Sequence, residues 1–164
     1  MPSVLKLAQT WAPHGIAVFN SAIFLDSLRY KFTDHPKTQV IFGRLDAWAT
    51  SLGAPGLFGH TGVFSQYSIG TAELIASFLL IGGMLVKPYR FLQPLGAALG
   101  LAIMTGAISF HLFTPLGVDP NNDGGGLFMA ACTVWIGCLS LLIFRFREVG
   151  ILGQKAGQFL SPAV

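Results

Sequence analysis

Four long apolar runs dominate the pattern of hydrophobic and polar positions along the chain. They cover about residues 13–30, 66–86, 91–113 and 127–144, and each approaches the roughly 20 residues that a helix needs to cross a bilayer. The last two runs contain no Asp, Glu, Lys or Arg, whereas the second contains Glu73 and the first contains Asn20 and Asp26. The pattern predicts an all-α membrane protein, a four-transmembrane-helix bundle that forms a single domain over residues 1–164.

A shorter helical pattern lies between the first two runs. The segment "TQVIFGRLDAWATSLG" has apolar residues near helical spacing, and Arg44 and Asp46 fall off that face. The apolar residues are Val40, Ile41, Leu45, Trp48 and Leu52. This spacing predicts a short amphipathic helix that lies at the membrane interface or folds back over the bundle. The Gly- and Pro-rich "APGLFGHTGVF" after it predicts a turn or a re-entrant approach to the second span.

Composition agrees with a membrane protein. Hydrophobic residues make up 52% of the chain and charged residues 10%, and the mean hydropathy is +0.63, which excludes an ordinary soluble domain. The formal charge is +3, but the basic residues are scattered and mostly flank apolar runs. We therefore interpret them as topology signals and expect no nucleic-acid partner.

Lys and Arg are unevenly divided between the two sides of a four-span protein. One side has Lys6, Lys87, Arg90, Arg145, Arg147 and Lys155. The other has Arg29, Lys31, Lys37 and Arg44. Because basic residues concentrate on the cytoplasmic side, this distribution predicts that both termini are cytoplasmic.

The third run contains a surface of small residues. Gly96 and Gly100 form a GxxxG pattern, and Ala98, Ala102 and Gly106 continue it. Small residues allow close approach of helix backbones in a bilayer. Packing inside the bundle is favoured over a homodimer interface, because a four-helix bundle already needs that contact.

Six polar residues from the four runs are predicted to lie in the outer leaflet. They are Asp26, Arg29, Lys31, Glu73, His111 and Asp123. Glu73 lies about 10 Å along its helix at 1.5 Å per residue, where an unpaired charge is costly. We therefore expect it to be protonated, to face a polar cavity, or to pair with Arg29 or Lys31.

Each of these residues has a structural alternative to a binding role. A Glu73 ion pair can simply lock two helices together. His111, expected in the last turn of the third span, can titrate, bind a ligand or bond to neighbouring backbone, and Asp123 can cap the fourth helix. We predict no metal site, because one His and two carboxylates suit a soft metal poorly.

No soluble-enzyme signature is present. The chain has no Walker A loop, GxSxG, CxxC, CxxCH or HExxH, the short motifs that mark nucleotide, hydrolase, redox, haem and zinc chemistry. We expect no independent catalytic activity.

Three segments resemble the DoxX-like family of small four-helix membrane proteins. They are "RYKF" after the first span, "IGTAELIASFLLIGG" in the second, and "MTGAISFHLFTPLGVDPNNDGGGLF" from the third into the fourth. The resemblance implies a bacterial cytoplasmic (inner) membrane protein related to a subunit of a thiosulfate:quinone oxidoreductase. It also implies that Arg29, Lys31, Glu73, His111 and Asp123 belong to the family's polar pattern.

Two functional hypotheses follow. The first is a redox-associated, quinone-linked membrane subunit, because a His and a carboxylate together supply hydrogen bonds and a proton to a quinone. Quinone is the one cofactor that this hypothesis suggests. The second is a non-catalytic accessory or scaffold subunit that docks against other membrane or redox proteins. A small transporter or metal-handling protein ranks behind both.

Overall fold

A computed structural model describes residues 4–148 and residue 150. Its helices are α1 (Val4–Lys31), α2 (Pro36–Ser51), α3 (Gln66–Leu85), α4 (Leu92–Phe113) and α5 (Gly126–Phe144), with a short 3-10 turn at Lys87–Tyr89. All the secondary structure in these ranges is helical, so the all-α part of the predicted fold class is confirmed. Lys155 and the ends of the predicted domain lie outside the described residues, as do the side chains of Lys6 and Lys87.

The helix bounds follow the predicted runs closely. Helices α3, α4 and α5 begin and end within one residue of the predicted spans, whereas α1 begins at Val4 and so is longer than predicted. By length and composition, α3, α4 and α5 can each cross a membrane. Helix α1 is not among the described helices that are apolar enough to do so. The predicted spanning role is therefore supported by composition for three of the four long helices.

The four long helices pack as a closed ring. Helix α1 lies against α3 and α5, and α4 lies against the same two helices on the other side. Their shared core includes Phe24, Leu80, Val134 and Leu141, all at most 1% exposed. Large apolar side chains such as Phe78, which is 70% exposed, point outward. A surface of this kind suits contact with lipid rather than water.

Two glycines of α4 set the spacing of the ring. A Cβ at Gly96 would lie 2.9 Å from the Ala76 carbonyl oxygen on α3, and one at Gly100 would lie 2.8 Å from Cys138 Sγ. This confirms that the GxxxG pattern packs inside the bundle. Ala98 and Ala102 are exposed instead, because they lie on the opposite face of the helix.

A cap, formed by residues 32–65, covers one end of the ring. We call this end the Lys31 end; there α1 and α4 finish and α3 and α5 begin. The predicted amphipathic helix is confirmed as α2. Its buried residues Leu45 and Ala49 form a second core with Phe58 of the following loop and Leu116 of the loop after α4. Val40 and Leu52, predicted on the apolar face of α2, are 41% and 67% exposed, because the buried face follows Thr38, Leu45 and Ala49.

The loop of the cap reaches the end of α4. The rings of Phe58 and Phe110 meet edge to face with centroids 5.1 Å apart, an arrangement that aromatic pairs favour. Residues 54–64 contain turns and bends without a helix, as their Gly and Pro content predicts. The cap therefore folds back over the bundle.

Candidate functional site

A buried polar cluster joins the end of α1 to α3. Ser27 and Lys31 are four residues apart on α1 and therefore share one face. Lys31 Nζ donates to both carboxylate oxygens of Glu73, at 2.8 Å to Oε2 and 3.0 Å to Oε1. Ser27 Oγ donates to Glu73 Oε2 at 2.5 Å and lies 3.1 Å from Lys31 Nζ. We call these three residues the Glu73 cluster.

The Glu73 cluster is closed to solvent and electrostatically balanced. The side chains of Lys31 and Glu73 are 16% and 3% exposed. Each carboxylate oxygen of Glu73 has a donor, and the two opposite charges neutralise each other. Removal of one partner from such a pair leaves a buried charge unpaired, which lowers the free energy of unfolding by about 3–5 kcal/mol. The cluster therefore locks α1 against α3.

Gly70 makes room for this contact. It precedes Glu73 by one helical turn, and a Cβ there would lie 3.3 Å from the Phe32 ring and 3.5 Å from Lys31 Cβ. A side chain at position 70 would press against the Phe32 ring and the Lys31 side chain. The sequence "GTAE" thus places the glycine where Lys31 passes over α3.

A second hydrogen-bond layer ties the cap to the Glu73 cluster. Gln66, the first residue of α3, is 3% exposed. Its Nε2 donates to the Lys31 carbonyl at 2.8 Å and to Asp34 Oδ1, and its Oε1 accepts from Gln39 Nε2 at 2.8 Å. The Tyr67 hydroxyl donates to Asp34 at 2.7 Å. That bond and the one from Gln66 hold the pKa of Asp34 below its usual value.

Asp26 and Arg29, two of the six polar residues predicted in the outer leaflet, lie outside the Glu73 cluster. They form an exposed ion pair at 3.0 Å, with side chains 59% and 66% exposed. The Arg29 guanidinium also lies 4.8 Å from the centre of the Tyr30 ring. The reason is helical rotation of about 100° per residue, which turns these two residues away from the face of Ser27 and Lys31.

His111 is also separate from Glu73. It lies in the last turn of α4, as predicted, and is 5% exposed. Its Nδ1 is 2.6 Å from the Gly117 carbonyl oxygen, so Nδ1–H donates to that oxygen. Its ring meets Phe128 at a centroid distance of 5.6 Å. His111 thus bonds to neighbouring backbone and holds the turn after α4 against α5.

Asp123 bonds to the start of α5 but is not its N-cap residue, which is Gly125. Asp123 Oδ1 accepts from the Gly126 N–H at 3.0 Å, and Gly126 is the first residue of the helix. Asp119 in turn accepts from the N–H groups of Asp123 at 2.8 Å and Gly124 at 3.2 Å. The Asp123 N–H is the main cause of a lowered pKa of Asp119. These contacts are local to the loop.

The opposite end of the ring contains a polar contact that the sequence analysis missed. We call it the Arg145 end. Gln93 is fully buried, and its Oε1 accepts from Arg145 Nε at 2.7 Å. Gln93 Nε2 donates to the Pro13 carbonyl at 3.5 Å, so this side chain links α1, α4 and the end of α5. Gln93 could have been identified from the sequence, because a buried amide in an otherwise apolar run needs a hydrogen-bond partner.

Ser27 and Gln66 were also missed at the Lys31 end. Ser27 precedes Lys31 by four residues, a spacing that could have identified it.

No group of three or more His, Cys, Asp or Glu side chains among the described residues is arranged to hold a metal ion. Comparisons of the chain with protein-family models, with curated proteins and with solved structures each find no match.

Proposed function

We propose that this chain is a DoxX-like integral membrane protein of four spanning helices that acts as a non-catalytic subunit of a larger membrane complex. The observation that supports this function is the closed Glu73 cluster, the most polar feature shared by the long helices. Both carboxylate oxygens of Glu73 are already bonded to Ser27 and Lys31, and the side chain is 3% exposed. A group held in this way stabilises a scaffold and leaves little for a substrate to contact.

The distribution of side chains on α1 supports a spanning role for this helix too. Its polar residues Asn20 and Ser21 are 0% and 2% exposed, whereas Val18 and Phe19 are 48% and 50% exposed. Polar groups that face the bundle and apolar groups that face outward are typical of membrane helices. In the middle of α1, the side chains that lower its hydropathy thus face the bundle, and the exposed Asp26 and Arg29 lie near its end.

A topology experiment tests the four spans. Tags at the two ends of the chain are expected to be accessible from the same side of a sealed membrane vesicle, because an even number of crossings returns the chain to its starting side. Cytoplasmic accessibility for both tags would also agree with the distribution of Lys and Arg. Opposite accessibility would mean three spans and would contradict the proposal.

The exposed small residues of α4 are the proposed contact with a neighbouring membrane protein. Ala98 and Ala102 lie one turn apart on the outside of the ring, where a second helix can approach closely. Ala98→Leu with Ala102→Leu should displace a partner that copurifies after extraction in mild detergent. Ala22→Leu makes the same change at an exposed position of α1 and should retain the partner.

Native mass analysis of the extracted protein gives the result. A stable complex that is lost only in the α4 variant supports the accessory function. A chain that emerges alone from the mildest extraction, in its native membrane background, would contradict it.

One further observation favours a quinone-linked role as the second candidate. A surface cavity of about 290 Å³ between α4 and α5 is lined by Thr105, Ile108, Ser109 and Trp135. Trp135 Nε1 donates to Thr105 Oγ1 at 2.9 Å. Thr105 Oγ1 donates in turn to the Leu101 carbonyl at 2.7 Å, so the Ser109 hydroxyl is the group that can donate to a quinone carbonyl, beside the Trp135 ring that can stack on the quinone.

Lipid extraction tests this second candidate. Quinone should copurify with the native chain. Less quinone should copurify with Ser109→Ala or Trp135→Leu, whereas Glu73→Gln should leave the amount of bound quinone nearly unchanged. Recovery of no quinone from the native chain would remove the candidate and leave the accessory function.

A further inference from the structure

The cap contains a small cavity that the proposed function does not use. It has a volume of about 140 Å³ and lies between α2 and the loop that follows it. Its lining includes Gln39, Phe42, Gly43, Asp46, Phe58 and His60. An engineered cavity of about 150 Å³ can bind benzene, so this volume suits a ligand of about six non-hydrogen atoms.

Asp46 supplies a fixed carboxylate at this cavity. Its Oδ1 accepts from the Phe58 N–H at 3.1 Å, which anchors the carboxylate to the loop. Among the described residues, Oδ2 of Asp46 has no hydrogen-bond donor within reach. A carboxylate has about four lone-pair sites, so Asp46 keeps acceptor capacity for a ligand.

Gln39 adds a second acceptor to the lining. Its Nε2 donates to Gln66 Oε1 at 2.8 Å and to Asp34 Oδ1 at 3.4 Å, and these bonds fix the orientation of the amide. Within the described ranges no donor reaches Gln39 Oε1. The lining therefore contains two side chains with spare acceptor oxygens, each anchored by its other polar atom, beside the apolar rings of Phe42 and Phe58.

The charges around the cavity favour a cation. Asp46 is the one carboxylate in the lining, which contains no Lys or Arg, and His60 is the other titratable side chain there. Asp34, which bonds to Gln39, remains ionised because hydrogen bonds from Tyr67 and Gln66 lower its pKa. The nearby Lys31 charge is neutralised by Glu73 at 2.8 Å. Lys37 and Arg44 are exposed on α2 and do not line the cavity.

We infer that the cap binds the ammonium group of a small primary amine. The ammonium group has three donors and no acceptor, which matches the acceptors of Asp46 and Gln39. The alkyl part of the ligand packs against Phe42 and Phe58. This inference is independent of the accessory function, because it concerns the cap and none of the residues proposed to contact a partner.

Three ligands of one size separate charge from shape. Binding of butylammonium, butan-1-ol and butyrate to the full chain in detergent is measured by saturation-transfer NMR. Butylammonium should bind about tenfold or more tightly than butan-1-ol, the difference typical of a hydrogen bond to a charged group, and butyrate should not bind. Equal binding of the amine and the alcohol, or no binding of the amine, overturns the inference.

Two variants and a matched control locate the site. Asp46→Asn retains an oxygen for the Phe58 N–H but removes the charge, so the preference for the amine should disappear. Gly43→Leu should fill the cavity and abolish binding, because a Cβ there meets no atom within 4 Å and the helix gains from losing a glycine. Ala47→Leu adds bulk at an exposed position of the same helix and should bind like the native chain.

The Gly43→Leu result decides the location if Asp46→Asn does not fold, as judged by circular dichroism. Native-like amine binding by a folded Gly43→Leu chain overturns the inference. The source of the amine is distinguished in lipid nanodiscs. Competition with butylammonium by ethanolamine-headed lipid, but not by choline-headed lipid, assigns the site to a lipid headgroup, and equal binding in both membranes assigns it to a free amine.

Discussion

The two ends of the bundle bury a basic side chain by different means. At the Lys31 end, Lys31 and Glu73 form a direct ion pair at 2.8 Å with Ser27 as a third member. At the Arg145 end, the guanidinium is bonded to the neutral amide of Gln93 at 2.7 Å, and its carboxylate partner Glu148 is more distant at 3.5 Å. The first charge is cancelled inside the bundle, whereas the second is mainly hydrogen-bonded.

The difference follows from what each contact must hold together. Lys31 and Glu73 come from α1 and α3, and the cap covers them, so their charges need an opposite charge within the protein. Arg145 follows the last residue of α5, and its side chain is 12% exposed. Glu148, three residues later, has a side chain that is 26% exposed. The uncharged amide of Gln93 is therefore a sufficient hydrogen-bond partner for Arg145, because Glu148 lies close by at the edge of the bundle. The comparison predicts unequal costs for disrupting the two ends.

The largest effect is expected from Lys31→Met. This change leaves the Glu73 carboxylate buried without its opposite charge and should lower the free energy of unfolding by about 3–5 kcal/mol. Lys31→Met with Glu73→Met removes both charges and should recover most of that loss, since apolar residues of similar volume replace a buried ion pair well. Reversible unfolding in mixed detergent micelles measures both. Equal destabilisation by the single and double variants would contradict the comparison.

A smaller loss is expected at the other end from Gln93→Leu. The shape is nearly kept, but Arg145 Nε loses its acceptor, so we expect a cost of about 1–3 kcal/mol in the free energy of unfolding. The same unfolding assay applies. A loss as large as that of Lys31→Met would show that the Arg145 end depends on its polar contact just as strongly.

Two glycine substitutions compare how tightly the helices pack at the two ends. A Cβ at Gly83 would lie 2.4 Å from the backbone nitrogen of Gln93, whereas one at Gly70 would lie 3.3 Å from the tip of the Phe32 ring. Because a ring can move and a helix backbone resists, Gly83→Ala should cost about 1–3 kcal/mol of unfolding free energy, and Gly70→Ala should cost less. Gly82→Ala, with 3.6 Å to its nearest neighbour, is the matched control in α3.

The smallest effect concerns acid and the cap. The pKa of Asp34 is lowered from 3.8 by its hydrogen bonds from Tyr67 and Gln66. Its contribution to stability is therefore complete above pH 3.8 and is lost as the pH falls through the lower folded-state pKa. In a chain with Trp11→Phe and Trp135→Phe, Trp48 is the remaining tryptophan. Its fluorescence should report loosening of the cap as the pH falls below 3.8.

Asp34→Asn provides the control for the acid response. An amide cannot titrate in this range, so the acid-dependent change in Trp48 fluorescence should become smaller in this variant. An unchanged response would assign the acid sensitivity of the cap to another group.

The positions of the helices were predictable because they depend on local pattern. Long apolar runs gave α3, α4 and α5 to within a residue, and the spacing of Leu45 and its neighbours gave α2. The sequence also indicated that Glu73 needs a partner, since a buried carboxylate is costly wherever it lies. The bond from the Gly126 N–H to Asp123 was equally local, because donor and acceptor are three residues apart.

The choice of partners was decided by tertiary structure. Arg29 and Lys31 were both candidates for Glu73, and the rotation of α1 about its axis turned Lys31 toward α3 and left Arg29 exposed, where it pairs with Asp26 of the same helix. The same packing aimed His111 at the Gly117 carbonyl instead of at Glu73. Sequence alone therefore determined which residues are helical and which polar groups must be satisfied. Only the relative rotation and spacing of the helices determined which atoms satisfy them, because hydrogen bonds and ion pairs depend on distances that no single helix defines.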